Sequence, residues 1–401
     1  MSKISQFSCY LIGFSFLGII HTSITFGVLI GIAIILIAVE NRNYIKNWFF
    51  GEHENILIGF LIIFTLSLFI SSLNSTYFFR SLSVSLYLLI FILSSFLIYK
   101  FLTLKFENLE LTLKSVSYST IFCTIIIFVY DLIKLHIYFD NKGYNISEVI
   151  KFKGIVNLIT LLVCLHPFWG KETKEKKIVS VILFILLIPI LLISNSNSSV
   201  LGILGGIFFL ILYLVSKLFK NKDLYVGVII LMSIIAFSSF SNFLPKDFDI
   251  HDINNTKFKI PTYIIEPHRQ FIWGFVTEIS KENSFFGIGP DTSNFIEGSQ
   301  NNVGHWATGD MNFIPSHPHN FILELFLEIG IFGTLSFCFL ILSVNYFFLK
   351  KSLYPVPLIF FNGYFWTSSL VNFSFWNAWW QGSYFLILAI IFSQTRYRFL
   401  K

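Results

Sequence analysis

Apolar residues fill long runs along nearly the whole chain, and charged or turn-forming residues separate each run from the next. The runs approach the roughly 20 residues that a helix needs to cross about 30 Å of hydrocarbon. The first run continues directly into the second, so we expect a retained membrane anchor rather than a cleaved signal. The pattern predicts twelve spans, near 4–20, 22–39, 55–73, 81–103, 115–138, 154–169, 178–193, 199–216, 224–241, 320–349, 355–374 and 377–394.

The composition points to the same fold class. Hydrophobic residues make up 55% of the 401 residues, and charged residues make up only 12%. A single water-soluble core of this size would not bury so much apolar surface, so we predict an all-α polytopic membrane protein. The 4 cysteines fall inside apolar runs, without the spacing of a metal site or a disulfide framework.

The basic residues predict how the helices are oriented. The net charge is +6, and most lysines and arginines lie in short loops on the same side as the N-terminus. The positive-inside rule therefore predicts cytoplasmic N- and C-termini, and this charge gives no indication of nucleic-acid binding. The predicted spans and their orientation divide the chain into an N-terminal bundle (1–241), a large extracytoplasmic loop (242–319) and a C-terminal group of helices (320–401).

The long loop is where we expect function, because it contains five of the nine histidines. Within it, residues 267–282 have apolar positions at helical spacing, which predicts an amphipathic helix at the membrane surface. Arg269 falls near the N-terminal end of that helix. Gly287 and Gly289 then predict a tight turn, although two glycines alone are weak evidence for a phosphate-binding loop.

A histidine cluster ends the loop. His317 and His319 stand immediately before a long apolar helix, so His319 is expected at the edge of the membrane. An imidazole there can take the proton of a sugar hydroxyl, and a guanidinium can offset the charge on a departing diphosphate. The alternatives are an ordinary surface histidine and an Arg269 that anchors its helix to lipid headgroups.

Further interpretations of neighbouring residues stay open at this point. His305 and Asp310 near the histidine cluster permit a metal site, but a helical HExxH arrangement is missing, and we predict neither metal nor cofactor. Glu324 and Glu328 follow at i and i+4 on the next helix. They either orient His319 or serve the structure, because carboxylates at such depth need partners.

Arg269 followed by Trp273, the turn FGIGPDTSNF and the stretch HNFILELFLEIGIFG resemble the C-terminal signature of the O-antigen ligase/polymerase superfamily. The close resemblance covers about 265–335. It implies a membrane glycosyltransferase, inverting and metal-independent, that acts on glycans linked to undecaprenyl diphosphate. It also implies that His319 and Arg269 are catalytic.

Trp273 and Asn320 belong to the residues that carry the resemblance, and we predict that they bind substrate together with His317 and Arg80. Many members of the superfamily carry a second arginine after a short serine-rich turn. Asn197 or Ser198 occupies that place here. Arg80, on the same predicted outer side, is a candidate replacement, and the alternative is that it anchors the protein at the membrane interface.

The function implied is that of an O-antigen ligase in the bacterial inner membrane. Its expected partners are a glycan donor linked to undecaprenyl diphosphate, a lipid A–core acceptor on the periplasmic face, and membrane lipids. An O-antigen or other surface polysaccharide polymerase, with a growing glycan as acceptor, is the nearest alternative. A transporter or flippase for lipid-linked sugars is the alternative of another class, which the absence of an evident inverted repeat disfavours.

Overall fold

A computed structural model describes residues 1–43, 55–140, 153–194, 196–219, 222–240, 243–245, 258–262, 265–302, 312–352 and 355–398. Helices dominate these parts, and an isolated antiparallel bridge joins Asn302 and Asn312. The helices are α1 Lys3–His21, α2 Ser23–Glu40, α3 Asn55–Asn74, α4 Phe78–Leu104, α5 Phe106–Asp140, α6 Lys153–Leu165, α7 Lys174–Ser194, α8 Asn197–Leu218, α9 Lys222–Phe240, α10 Pro267–Glu282, α11 Phe321–Lys351, α12 Val356–Ser369 and α13 Ala378–Arg398. Short 3₁₀ helices span His166–Phe168 and Ser293–Phe295.

Each of the twelve predicted apolar runs coincides with a helix, and α10 is the additional helix within the long loop. In the described parts, 8 helices are long and apolar enough to cross a membrane: α1 to α5, α7, α8 and α11. Shorter apolar helices span Gly154–Phe168 and Asp223–Met232. The described parts of the chain are therefore helical with multiple candidate spans, while twelve crossings stay a prediction.

Large apolar side chains on the outside of the bundle are widely exposed. Ile24, Phe79, Leu192 and Leu218 are examples, with exposed fractions of 74%, 81%, 76% and 80%. In water such a surface would favour association, whereas hydrocarbon solvates it. The exposed apolar surface thus fits a bilayer environment.

Glycines bring α8 and α12 into close contact. Gly202, Gly205 and Gly206 of α8 all face α12, and a Cβ on Gly205 would lie 2.2 Å from the Thr367 Oγ1 atom. Small residues let two helix backbones approach closely in a membrane. This packing fixes α8 beside the helix that leads into the α12–α13 loop.

The long loop folds around a small apolar core of its own. The buried members of this core are Leu244, Phe271, Ile272, Trp273, Val276, Phe313, Ile314, Leu323 and Leu327. Four of them belong to α10 and two belong to the start of α11. The apolar face of α10 therefore packs on protein, while the position of α10 at the membrane surface stays a prediction. Helical periodicity predicts an apolar face, but it does not identify what covers that face.

Several connections meet the long loop at one end of the bundle. Gly289 approaches the α3–α4 turn so closely that a Cβ on it would lie 2.3 Å from the Cβ of Ser75. Ser198, at the start of α8, accepts a hydrogen bond from the side chain of Asn372 in the α12–α13 loop. These connections are ones that the sequence assigns to the same outer side.

Candidate active site

The histidine cluster lies on the turn that leads into α11. Asn320 caps the helix: its Oδ1 accepts the backbone N–H groups of Ile322 and Leu323 at 3.1 and 3.2 Å. His319, the residue before the cap, has a φ of 57°. A non-glycine residue adopts this left-handed backbone at a cost of about 1–3 kcal/mol, and such strain is common at functional sites. The cap and this turn fix the origin of the His319 side chain.

Two imidazoles bond to one main-chain oxygen. The carbonyl oxygen of Asn372 lies 2.9 Å from Nε2 of His317 and 3.3 Å from Nδ1 of His319. Because a carbonyl oxygen can only accept, both of these nitrogens carry protons. Nδ1 of neutral His317 then accepts from the Ser316 hydroxyl at 2.8 Å. In neutral His319, Nε2 is left with a lone pair that can receive a proton.

Both rings are neutral at ordinary pH. Burial, together with the neighbouring His317 and Arg269, lowers the pKa of His319 to about 3. Burial likewise lowers the pKa of His317, although its hydrogen bond to Asn372 opposes the shift. His319 is half-buried, so the residue is not fully enclosed by protein. Neutral imidazole is the form that acts as a proton acceptor.

Arg269 reaches the same loop from the first turn of α10. Its Nη1 donates to the carbonyl oxygen of Val371 at 2.8 Å, and its Nε lies 3.8 Å from Oε2 of Glu266. The side chain is 32% exposed, so the guanidinium keeps donors available for a ligand. Consecutive carbonyls, those of Val371 and Asn372, thus hold the guanidinium and both imidazoles.

Trp273 supports the histidine turn from the α10 side. Its indole N–H donates to the carbonyl oxygen of Pro318 at 2.7 Å, and the side chain is 2% exposed. The bond ties α10 to the residue between the two histidines. Substrate contact by Trp273 stays a prediction, as does contact by Asn320, whose Oδ1 serves the helix cap.

Arg80 lies on the same side of the protein as the long loop but in a different contact network. Its Nη2 is 2.7 Å from Oδ2 of Asp291, its Nε donates to the Asp291 carbonyl at 2.9 Å, and its guanidinium stacks over Phe295. Asp291 thus engages the guanidinium in the structure. A direct role of Arg80 in substrate binding stays a prediction.

The two-glycine turn encloses a carboxylate of the protein itself. Backbone N–H groups of Asp291, Thr292 and Ser293 donate to Glu328 at 2.6, 3.0 and 2.7 Å, and the Trp376 indole N–H donates to the same group. Successive N–H groups of this kind form anion-binding concavities. Glu328 thus occupies the place that a phosphate would take, and this turn is not a free phosphate loop.

Glu324 holds the loop that carries the two carbonyls. Its carboxylate accepts the Ser374 hydroxyl and the Phe375 backbone N–H, both at 2.6 Å. Among the described contacts, neither Glu324 nor Glu328 hydrogen-bonds to His319. Both carboxylates therefore have structural contacts: Glu328 holds the glycine turn, and Glu324 holds the α12–α13 loop.

Sequence reasoning missed Asn372, the residue on which the histidines converge. A usable signal was present, because Asn372, Ser374 and Asn377 interrupt two apolar helices at the predicted outer end. His305 and Asp310, invoked in the metal interpretation, lie outside the described residues.

Fold and site define a helical membrane protein in which a guanidinium and two imidazoles meet on one loop at one end of the bundle. Residues 182–338 match a family model described as O-Antigen ligase. This match confirms the resemblance to the O-antigen ligase superfamily over those residues, and the apolar helices indicate a multi-pass membrane protein. That region contains Arg269 and His319 but ends before Asn372.

Similar proteins carry related names. A protein from Rickettsia typhi, named as a candidate polysaccharide ligase, is 28% identical over 226 residues, which cover 54% of this chain and 52% of that protein. A protein of the same name from Rickettsia conorii is 26% identical over 227 residues, which cover 55% of this chain and 52% of that protein. Another from Rickettsia prowazekii is 28% identical over 219 residues, which cover 52% of this chain and 51% of that protein. The chain thus spans about half the length of these relatives.

Proposed function

We propose that this protein is an O-antigen ligase-type glycosyltransferase of the bacterial inner membrane. It transfers a glycan from undecaprenyl diphosphate to the lipid A–core oligosaccharide on the periplasmic face. The observation that carries the proposal is the pair of consecutive carbonyls, Val371 and Asn372, that hold a guanidinium and two neutral imidazoles together. The family match and the names of the relatives support the reaction class.

His319 acts as the base in the proposed reaction. The lone pair on its Nε2 takes the proton of the acceptor hydroxyl while the hydroxyl oxygen attacks the anomeric carbon of the donor sugar. A bond forms between that oxygen and carbon, and the bond from carbon to the diphosphate oxygen breaks. A single displacement of this kind inverts the configuration at the anomeric carbon, in agreement with the chemistry that the sequence resemblance implies.

Arg269 stabilises the leaving group. The diphosphate departs with the electron pair of the broken bond, and a guanidinium binds such oxygens with two parallel N–H donors. Because the Arg269 side chain is partly exposed, a diphosphate can reach its guanidinium from outside the protein. The hydrogen bond to the Val371 carbonyl keeps the side chain in place. In this proposal, charge stabilisation comes from arginine rather than from a metal ion.

The position of the site suits a lipid-linked donor. His319 immediately precedes α11, one of the helices apolar enough to cross a membrane. A polyprenyl chain can therefore remain in hydrocarbon beside the helices while its diphosphate reaches the level of Arg269.

A deletion strain of the source bacterium tests the proposal. We expect gels of its lipopolysaccharide to show bare core, with carrier-linked polymer accumulating, and complementation by the wild-type gene to restore the complete product. Complementation with His319→Ala or Arg269→Ala should fail at wild-type protein levels in the membrane. Core with a single repeat unit would instead identify a polymerase, and an unchanged lipopolysaccharide profile would refute the proposal and favour transport or another glycan.

A further inference from the structure

A buried polar network lies behind the histidine pair. Its centre is Asn157 on α6, which is 0% exposed. The Asn157 Nδ2 donates to the hydroxyl oxygens of Ser198 at 2.9 Å and Ser368 at 2.6 Å. The Tyr364 hydroxyl in turn bonds to both oxygens of Asn157 at 2.8 Å. Three helices, α6, α8 and α12, are therefore connected by one set of satisfied hydrogen bonds.

Ser198 connects this network to the active-site loop. Its hydroxyl oxygen accepts from the side-chain amide of Asn372 at 3.2 Å, in addition to the bond from Asn157. Ser198 is 6% exposed. The side-chain amide of Asn372 is thus held by Ser198, while the main-chain carbonyl oxygen of Asn372 accepts from the two imidazoles.

The orientation of the main-chain carbonyl of Asn372 determines the rotation and the tautomer of the His319 ring. His319 donates to it at 3.3 Å, which is near the long limit of an N–H···O bond, so a small displacement breaks the contact. Without the contact, the His319 ring can rotate, and either nitrogen can carry the proton. The Asn372 carbonyl therefore selects the tautomer with the lone pair on Nε2.

We infer that Ser198 is a positioning residue for the proposed transfer, acting through the side chain of Asn372 on the carbonyl that orients His317 and His319. The inference rests on the proposed function. Ser198 holds the loop and needs no contact with the glycan, so its removal affects the transfer step and leaves the diphosphate-binding guanidinium in place. Because the inference depends on the hydroxyl group, a threonine at position 198 should preserve the transfer activity.

The experiment compares Ser198→Ala with Ser198→Thr in the full-length protein. Ser216→Ala is the matched control, since Ser216 is also a buried serine of α8, but its hydroxyl donates to Tyr213 in the same helix. Binding is measured by titrating purified protein in nanodiscs with undecaprenyl diphosphate and following tryptophan fluorescence. Transfer is measured as complete lipopolysaccharide formed per unit of membrane protein in the deletion strain.

We expect Ser198→Ala to bind undecaprenyl diphosphate like the wild type and to transfer at least about ten-fold less, because small displacements at a reacting group reduce rates strongly. Ser198→Thr should recover most of the transfer, and Ser216→Ala should match the wild type. If Ser198→Ala does not accumulate in the membrane, Asn372→Ala removes the same bond from a half-buried position while keeping the main-chain carbonyl.

Normal transfer by Ser198→Ala beside an inactive His319→Ala would overturn the inference and leave the proposed function intact. A parallel loss of transfer in Ser198→Ala and Ser198→Thr would also overturn it, because the hydroxyl would then not be the functional part. Normal transfer by His319→Ala would instead show that the proposed function itself has failed.

Discussion

His317 and His319 lie with their ring centroids 4.2 Å apart and direct one nitrogen each to the carbonyl oxygen of Asn372. The two rings share an acceptor but differ in what remains free. The second nitrogen of His317 is bonded to Ser316, whereas the second nitrogen of neutral His319 is the available base. Two neighbouring histidines can therefore have different roles, one orienting and one chemical.

This difference predicts unequal effects of substitution. His319→Gln should lower transfer by about 100-fold or more, the usual contribution of a positioned base, and His317→Gln should lower it less. His268→Gln is the comparison variant, because that ring bonds to the Phe313 carbonyl, and it should lower transfer least. Initial rates of glycan transfer measure all three variants. Equal losses for His317→Gln and His319→Gln would contradict the assignment of separate roles.

The low pKa of His319 predicts a specific dependence of stability on pH. Above pH 6.5 the ring is neutral in folded and unfolded chains alike, so it contributes no pH dependence. Between pH 6.5 and a folded pKa of about 3, the unfolded chain binds a proton that the folded chain does not. The free energy of unfolding therefore decreases as the pH is lowered through this range. The Tm of the wild type should therefore fall more steeply than that of His319→Gln between pH 7.5 and 4.5. Identical slopes would refute the buried neutral ring.

Arg269 should determine affinity for the diphosphate. Arg269→Ala is expected to weaken binding of undecaprenyl diphosphate in nanodiscs by about ten-fold or more, since it removes a charge-assisted bidentate donor. Arg269→Lys should restore little, because an ammonium group lacks the planar fork of donors. Lys281→Ala removes a cation from the far end of the same helix, where it pairs with Glu278, and should leave affinity unchanged. An equal loss for Lys281→Ala would indicate a diffuse electrostatic effect.

Glu328 should be important for stability. Glu328→Gln replaces two acceptor oxygens by one, although three backbone N–H groups and the Trp376 indole converge there. Leaving such donors unpaired is expected to cost about 2–4 kcal/mol and to lower the Tm in detergent. Glu278→Gln, at an exposed ion pair on α10, should change the Tm little. A Tm equal to that of the wild type would show that the carboxylate is not needed to hold the turn.

The contact between α8 and α12 predicts a third effect on stability. In Gly205→Ala the added Cβ meets the Thr367 side chain and the Gly363 carbonyl, so the helices must separate at a cost of about 1–3 kcal/mol. Gly227→Ala on α9 is the matched control, because nothing lies within 4 Å of its added Cβ. Thermal unfolding of both variants should separate them. A Gly205→Ala protein as stable as Gly227→Ala would show that the helices are not so close.

The sequence predicted the helices well because apolar runs and their breaks are local features. It also indicated His319 and Arg269, whose positions beside a helix start are local as well, while their catalytic roles stay a prediction. It could not predict that Glu328 fills the glycine turn or that α10 packs on protein, because these contacts join segments far apart in the chain. Asn372 was missed although the polar residues around it mark a loop, because its contact with the histidines uses a main-chain carbonyl whose direction depends on the fold.

The most direct test of the central claim is reconstitution of the reaction. Purified protein in proteoliposomes would receive undecaprenyl-diphosphate-linked repeat units and lipid A–core, and mass spectrometry would follow the new glycosidic bond and the released undecaprenyl diphosphate. The account predicts equimolar formation of both products by the wild type, and neither above background with His319→Ala or Arg269→Ala at equal protein. Product formation by His319→Ala at the wild-type rate would contradict it.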